Sequence, residues 1–407
     1  MKHSLRTIVS ALIGALALLV LAGCQPGTVT SEHQKEVKAA NQRWHEIRSR
    51  LLLQMAQRQF DTGDLDQADK SLGDALAVDD QNPRLFLLAG RVAVERGELE
   101  KAYKLLTHAI DLDPSFPEPY YYRGLVLQRW QRYDQALADY QKAYQFKSQD
   151  PAYLLAVAET LATLNRTDEA LKLLQEKLSY FDQNAGVRLA MAQLYMIKRQ
   201  YPQAAEAFRQ ASLLKPDDQH IIENMAIVQY EAGQYNQCIQ NLEDLTARPE
   251  NSKRWDLQKL LGAAYEAVGR LPAARGIYIA ITQADPGDAG AWLKLAAVSW
   301  AMHDASGTEV AAGRCIALDP RRPDAYVLAA LAQEKQNNLP AALHNLDKAA
   351  ELAPTDAGPV ILRGLALQGA GRRTEAAQAY TEALRRDPKD VQAQKLLAAL
   401  GPEAGRS

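Results

Sequence analysis

The stretch that decides the fold is Pro83–Phe116, which reads PRLFLLAGRVAVERGELEKAYKLLTHAIDLDPSF. Its apolar and small residues return every three or four places, first around Ala89 and then around Leu106. This spacing puts them on one face of a helix. Gly97 stands between the two runs, and glycine tolerates the left-handed conformation that ends a helix. Pro114 follows the second run, and a proline there cannot continue a helix. The stretch is therefore predicted to form two antiparallel helices.

The same pattern recurs with a period of 34 residues over most of the chain. The eighth residue of every block is glycine or alanine, which lets two helices approach each other closely. Two extra residues, Lys253 and Arg254, separate the sixth block from the seventh. The ten blocks begin at Ser49, Pro83, Pro117, Pro151, Ala185, Gln219, Trp255, Ala289, Pro323 and Ala357.

In their period, their small residues and their terminal prolines, the blocks resemble the tetratricopeptide repeat family. The resemblance implies an all-α fold, a right-handed superhelical solenoid of about ten antiparallel helix pairs. It also implies that the first helix of each pair lines the concave side, through positions two, five, nine, twelve and thirteen. Because one helix pair cannot bury its own apolar face, stacked neighbours would share a continuous core.

The pattern divides the chain into segments. Residues 49–252 hold repeats one to six, residues 255–390 hold repeats seven to ten, and residues 391–407 form a capping helix and a tail. Residues 24–48 precede the repeats as a tether and an N-terminal helix. The insertion at residues 253–254 lies in the polar stretch Arg248–Arg254, which is either a hinge between the two sets of repeats or a longer surface turn.

The first residues predict a targeting signal, residues 1–23. Lys2 and Arg6 precede an apolar run that is too short to span a membrane comfortably. Leu-Ala-Gly-Cys at residues 21–24 then resembles the bacterial lipoprotein box, and the alternative is an ordinary secretory signal with an accidental cysteine. The resemblance implies that Cys24 is the lipidated first residue of the mature chain, held by fatty acyl chains such as palmitate. Gln25, where aspartate could stand, implies the outer membrane, with the chain facing the periplasm.

Composition argues against several classes of function. The chain has 407 residues, is 47% hydrophobic and 24% charged, and carries a formal net charge of −2, so neither disorder nor wrapping of nucleic acid is expected. Its three cysteines are too few for a disulfide framework, and Cys238 and Cys315 are predicted to be core residues. Phosphate-binding loops, serine-nucleophile motifs and paired metal-ligating histidines are missing from the sequence. We therefore expect no catalytic residue, no metal, no cofactor and no small-molecule substrate.

What remains is the surface that the resemblance places on the concave side. Its fifth positions are mostly apolar, which favours an amphipathic helix or an extended apolar segment of a partner, unless these side chains simply pack within their own repeats. The lysine and asparagine clamp with which chaperone-binding relatives hold a C-terminal carboxylate is missing. The third block adds a cluster of aromatic residues, suited either to a binding hot spot or to ordinary packing. The candidate groove residues are Leu87, Arg91, Tyr121, Leu125, Trp130, Leu155, Leu189, Gln193, Glu223 and Tyr230.

These observations predict a membrane-anchored, non-catalytic scaffold for protein–protein interaction. The resemblance to lipoproteins with such repeats implies a role in assembling an envelope machine, such as a pilus, a secretion channel or a polysaccharide exporter. The alternative is an adaptor that positions cell-wall hydrolases or synthases near their substrate. The two functions differ in the partner that the groove captures.

Overall fold

The structure, a computed structural model, describes residues 31–401, and this part of the chain is all-α, without any strand. It contains twenty-one α-helices and one short 3-10 turn at Pro249–Asn251. The predicted targeting signal and Cys24 lie outside the described residues, as does the end of the tail. No helix between residues 31 and 401 is long and apolar enough to cross a membrane.

The helices follow one another in pairs, which confirms the predicted all-α solenoid of antiparallel helix pairs. Each block from the second to the ninth begins at the first residue of a helix, and the tenth begins one residue earlier. The helices are α1 (Ser31–Asp61), α2 (Leu65–Leu76), α3 (Pro83–Glu95), α4 (Leu99–Leu112), α5 (Pro117–Arg129), α6 (Tyr133–Phe146), α7 (Pro151–Thr163), α8 (Thr167–Lys177), α9 (Ala185–Ile197), α10 (Tyr201–Leu214), α11 (Gln219–Glu231), α12 (Tyr235–Thr246), α13 (Trp255–Ala267), α14 (Leu271–Ala284), α15 (Ala289–Ala301), α16 (Ala305–Leu318), α17 (Pro323–Lys335), α18 (Leu339–Leu352), α19 (Gly358–Gly369), α20 (Arg373–Arg386) and α21 (Val391–Ala399).

The chain divides into two compact units between Ala170 and Leu171. The division falls within α8, so helices α1–α7 belong to the first unit and α9–α21 to the second. Each unit has its own buried apolar core. In the second unit Cys238 and Cys315 are fully buried, which confirms that both are core residues.

Side-chain caps start several of the first helices in the pairs. The Asn82 side chain accepts a hydrogen bond from the Arg84 N–H at 3.1 Å, and Asp150 accepts one from the Ala152 N–H at 3.1 Å. A proline stands at the first helical position in both cases, where its missing N–H costs no helical hydrogen bond. These local signals begin the helices at the block boundaries.

The turn inside each helix pair uses one residue in the left-handed region, and it is always the fifteenth residue of its block. Seven of the ten are glycine or asparagine, as the sequence marks them. Gln131, Arg199 and His303 adopt the same conformation, with φ of 59°, 54° and 62°. After Arg199 the Gln200 N–H donates to the Tyr195 carbonyl at 2.9 Å, which is the six-to-one bond of a Schellman motif. The geometry of the helix pair therefore imposes this conformation on ordinary side chains as well.

Candidate protein-binding groove

A pocket of about 630 Å³ opens between the first helices of the N-terminal repeats. Helices α1 and α3 and the start of α5 form its walls, and all of them lie in the first compact unit. Leu53 and Leu87 are the fifth residues of their blocks, and Gln57 and Arg91 are the ninth. These are positions that the family resemblance places on the concave side.

We call this cavity the arginine pocket, because three arginines line it. Its walls are otherwise mostly apolar or uncharged, apart from one carboxylate. The lining residues are the arginines Arg58, Arg84 and Arg91, the apolar Leu53, Leu87, Leu88 and Phe116, the amides Gln54 and Gln57, and the acidic Glu118. A cavity of this size is large enough for the side chains of a bound segment, since pockets that hold small ligands span about 300–1,000 Å³.

Arg91 is fixed by two aromatic rings. Its guanidinium carbon lies 4.6 Å from the centre of the Phe60 ring and 5.0 Å from the centre of the Tyr122 ring. Such cation–π contacts hold a guanidinium over an aromatic ring. The Arg91 Nε atom is buried and has no hydrogen-bond partner among residues 31–401. The predicted groove residue is thus a positioned arginine that still has a donor to satisfy.

Tyr121 lies inside a cluster of aromatic rings. Its ring centre is 5.4 Å from that of Tyr122, 5.7 Å from that of Tyr140 and 5.2 Å from that of Tyr153. Burial raises the pKa of the Tyr121 hydroxyl, with smaller contributions from Tyr122 and nearby carboxylates. The side chain remains half-buried, so it both packs between neighbouring repeats and keeps some surface for a ligand.

Trp130 lies at the other end of α5 from Tyr121. Nine residues separate the two, which is about 14 Å along a helix axis. The Trp130 ring packs 5.5 Å from Tyr103 on α4, and the Arg132 guanidinium lies 5.0 Å from its centre. Trp130 also packs against the buried cluster that Tyr122 contacts, and a binding role for Tyr121 and Trp130 stays a prediction.

The remaining candidates of the groove differ in exposure. Leu125 on α5 and Leu155 on α7 are half-buried in the first unit. On α9, in the second unit, Leu189 is half-buried and Gln193 is exposed. These four side chains are accessible in part, and none of them is needed to satisfy a buried polar group.

Glu223 and Tyr230 on α11 already have partners. The Arg254 guanidinium donates to both carboxylate oxygens of Glu223, at 3.1 and 3.2 Å. Arg254 also bonds Asp256, and these hydrogen bonds raise the pKa of its guanidinium. The Tyr230 ring makes an edge contact with Tyr235 at 5.4 Å. The polar end of the predicted groove is therefore fastened to the insertion at residues 253–254.

Sequence reasoning missed Arg58, Arg84 and Phe116 as pocket residues. Arg84 is the second residue of its block, a position that the resemblance does place on the concave side, so the signal was present. Arg58 is a tenth residue and Phe116 ends the preceding block, so neither could be assigned from the repeat positions alone.

A second exposed surface runs along α1. Five large apolar side chains on this helix are between 44% and 61% exposed, and their spacing puts them on one face. Ser49 and Ala56 are buried on another side of the same helix. We call this surface the α1 stripe, and it consists of Val37, Trp44, Ile47, Leu51 and Met55. Within residues 31–401 no group of three or more histidine, cysteine or acidic side chains could hold a metal ion.

Comparison with known families and structures gives partial matches. A family model described as the C-terminal domain of cilia and flagella-associated protein 70 matches residues 27–221. Two tetratricopeptide repeat models match residues 255–298 and residues 361–406. No curated protein matches the chain.

Several solved structures are similar at low identity. The C-terminal part of a TPR repeat-containing protein from Cytophaga hutchinsonii is 16% identical, with a TM-score of 0.49 over 60% of this chain and 99% of that one. A tetratricopeptide repeat protein from Parabacteroides merdae is 15% identical, with a TM-score of 0.42 over 70% of this chain and 99% of that one. A chain in the structure of Naa15/Naa10 bound to HypK-THB is 14% identical, with a TM-score of 0.39 over 87% of this chain and 66% of that one.

The named repeat models fall on blocks seven and ten, and the same helix pair recurs at the same period through the other blocks. The chain therefore belongs to the tetratricopeptide repeat family.

Proposed function

We propose that this chain is a non-catalytic scaffold that holds a segment of another protein in the arginine pocket while a lipid on Cys24 keeps it at a membrane. Tetratricopeptide repeats serve generally as protein-interaction folds. The observation that carries the proposal is the pocket itself, where apolar and charged side chains of three successive first helices line one open cavity. A helix or an extended peptide fits such a groove, because its alternate side chains can fill successive sites.

The membrane half of the proposal is supported by the lipoprotein-box resemblance and by the α1 stripe. Between residues 37 and 55 the helix carries four basic residues, Lys38, Arg43, Arg48 and Arg50, against one acidic residue, Glu46. Arg48 lies on the same face as Trp44 and the other three basic residues flank the stripe, and exposed apolar and basic side chains together favour an anionic lipid surface. The same positive charge disfavours pairing of the stripe with a second copy of itself.

The pathway that we propose is the assembly of an envelope machine in the outer membrane, such as a pilus, a secretion channel or a polysaccharide exporter. A lipid anchor and a peptide-binding groove suit this task, because the anchor fixes the chain at the site of assembly and the groove recruits a subunit. The alternative, an adaptor for cell-wall hydrolases or synthases, uses the same two features with another partner.

Two comparisons test the proposal. Cys24→Ala should move the chain from the membrane fraction to the soluble periplasmic fraction, and Trp44→Glu in that background should abolish residual binding to anionic vesicles. Affinity capture after crosslinking in cells should recover a pilus, secretion or exporter subunit with the unsubstituted chain but not with Leu87→Gln. Leu213→Gln, at an exposed leucine on α10, is the matched control.

Recovery of cell-wall enzymes in place of assembly subunits would move the chain to the adaptor function. Equal capture by Leu87→Gln and by the unsubstituted chain would show that the pocket is not the binding site. Membrane association of Cys24→Ala that persists in high salt would contradict the lipid anchor.

A further inference from the structure

The arginine pocket holds more positive charge than the described residues neutralise. Arg58, Arg84 and Arg91 line it, and none of them forms an ion pair with any residue between 31 and 401. The single acidic residue of the wall, Glu118, lies 3.7 Å from the Lys147 Nζ atom. The pocket is therefore short of negative charge.

Arg96, Arg123 and Arg166 are the arginines between residues 31 and 170 that do form an ion pair. The Arg123 guanidinium holds the Asp139 carboxylate through two hydrogen bonds, at 2.7 and 2.8 Å. Hydrogen bonds to Asp139 raise the pKa of Arg123 even though burial opposes its charge. The charge of Arg123 is thus neutralised by a carboxylate, whereas the charges of the three pocket arginines are not.

Arg84 occupies a position at which the helix dipole disfavours a positive charge. It lies in the first turn of α3, a helix of thirteen residues. The helix dipole places partial positive charge at this N-terminal end. A cation there is unfavourable unless an anion is also present. Arg58, in the last turn of α1, is favoured by the dipole of its own helix, whereas no such dipole stabilises Arg84.

Arg91 is prepared to bind a planar anion. Its guanidinium lies against the Phe60 and Tyr122 rings, and the N–H donors of a guanidinium lie in a fixed plane. A guanidinium held in this way loses little side-chain entropy when it binds, and its donors match the two oxygens of a carboxylate.

The apolar part of the wall defines what must accompany the carboxylate. Leu53, Leu87, Leu88 and Phe116 line the same cavity as the arginines. A free phosphate or acetate would leave these side chains in contact with water. A peptide with apolar residues next to an acidic one would cover them and bring its carboxylate to Arg84 and Arg91 at the same time.

We propose that the arginine pocket binds an internal aspartate or glutamate of a partner segment, flanked on both sides by apolar residues. This inference rests on the proposed scaffold function and names the chemistry of its ligand. An internal side chain is the fitting source of the carboxylate, because an extended or helical segment that passes through the groove places apolar neighbours on either side of it.

The test uses the full chain with the Cys24→Ala substitution, so that it is soluble, and a displayed library of random twelve-residue peptides as the probe. The unsubstituted pocket should enrich peptides with aspartate or glutamate between leucine, isoleucine or phenylalanine. Arg84→Gln and Arg91→Gln should lose this enrichment, while Arg314→Gln, at an exposed arginine on α16, should keep it. Circular dichroism checks that each variant keeps its helix content.

The best enriched peptide is then titrated beside its counterpart in which the acidic residue is replaced by glutamine or asparagine. We expect the acidic peptide to bind about tenfold more tightly or better, and each pocket arginine variant to remove that difference. Arg91→Gln could alter the packing of the Phe60 and Tyr122 rings. Arg84 is exposed, so Arg84→Gln removes a pocket charge without changing the core, and its effect on binding tests the inference independently.

Four results would overturn the inference: no enrichment of any peptide, enrichment without an acidic residue, equal binding of the two titrated peptides, or displacement of the peptide by inorganic phosphate alone. If partner capture in cells depends on Leu87 but not on Arg84 or Arg91, the scaffold function stands and this inference fails. If capture does not depend on Leu87 either, the proposed binding site fails as well.

Discussion

The ring of Tyr140 fills the space that a side chain on Gly124 would need. A Cβ atom built on Gly124 would lie 2.5 Å from the Tyr140 Cε1 atom, closer than real contacts allow. The Tyr140 hydroxyl donates to the Gln128 side-chain carbonyl at 2.8 Å, and burial raises the pKa of that hydroxyl. Glycine and tyrosine thus set the closest approach of α5 and α6.

The same pair recurs at the same two positions of other blocks. Gly262 meets Tyr278 and Gly364 meets Tyr380, in each case at the eighth and twenty-fourth residues. Where the eighth residue is alanine, a smaller side chain often stands opposite, as in the core that contains Ala330 and Leu346. Tyrosine thus faces glycine in three of these blocks, while Gly90 faces Leu106 in the second block.

This matching predicts a specific coupling between Gly124 and Tyr140. Gly124→Ala should lower the free energy of unfolding by about 1–3 kcal/mol, because the ring must move. The double variant Gly124→Ala, Tyr140→Leu should lose less than the sum of the two single variants, by about 1 kcal/mol or more, since it recreates the pairing of Ala330 with Leu346. Urea unfolding of the three variants measures the coupling.

Gly313 provides the control for that series. It lies within α16, and a Cβ there would meet nothing within 4 Å, so Gly313→Ala should stabilise the chain by about 1 kcal/mol. If the losses in free energy of unfolding at Gly124 and Tyr140 are additive, the two residues are not energetically coupled, which would contradict this prediction.

Arg199 should be replaceable by glycine with a gain in stability. Its φ of 54° costs an L-residue about 1–2 kcal/mol, and glycine adopts it freely at a smaller cost in chain entropy. We expect Arg199→Gly to raise the free energy of unfolding by roughly 0.5–1 kcal/mol. Arg199→Ala keeps the Cβ and should bring no gain; an equal gain from both would trace the effect to the lost side chain and contradict the strained turn.

The repeat fold could be predicted from the sequence because its signals are local. A 34-residue period, small eighth residues and glycines or asparagines at seven helix ends specify a helix pair ten times over. Gln131, Arg199 and His303 carry no such signal, and they adopt the left-handed conformation only because both helices of the pair are already fixed by their neighbours. The fold could therefore be predicted from the majority of the repeats. The left-handed conformation of these three turn residues could not be predicted from their own sequence.

The candidate site was predictable only in part, since it depends on contacts between blocks. Leu87 and Arg91 were placed by their repeat positions, and both line the pocket. Arg91 contacts the ring of Phe60 from one block and the ring of Tyr122 from another. The sequence of a single repeat cannot predict such contacts between blocks. The binding role predicted for Tyr121 and Trp130 stays a prediction, since their positions along α5 do not decide it.

The junction between the sixth and seventh repeats should resist hydrogen exchange. The buried Asn251 side chain donates to the Leu245 carbonyl at 3.0 Å and to the Gln219 side-chain oxygen at 3.1 Å. Asn251→Ala should cost about 1–3 kcal/mol and expose the amides of residues 248–254 to exchange. Asn224→Ala, at an exposed asparagine on α11, should change neither quantity appreciably.

The same measurement separates the two interpretations of Arg248–Arg254. A longer surface turn that these bonds fasten should be protected in the unsubstituted chain. A hinge should exchange rapidly there while the helices on both sides stay protected.

The buried thiols should be unreactive in the folded chain. Burial raises the pKa of Cys238 to about 11 and also raises that of Cys315. Because the folded pKa of Cys238 lies above the unfolded value of about 8.5, its contribution to stability is complete below pH 8.5 and is lost as the pH rises through 11. In Cys24→Ala, both thiols should react with a thiol reagent at pH 8 only after unfolding in guanidinium.

A cysteine introduced at exposed Leu213 is the control, and it should react at once in native buffer. Equally fast reaction of Cys238 in the folded chain would contradict the packing of the second unit.

The central claim is that the arginine pocket holds a partner segment in cells, and site-specific photocrosslinking tests it most directly. A photoreactive residue at Gln54, which lines the pocket, should give one dominant crosslinked species that disappears with Arg84→Gln. The same residue at Lys104, exposed on α4, should give none. Crosslinks of equal strength at both positions, or a Gln54 crosslink that Arg84→Gln leaves unchanged, would contradict the account.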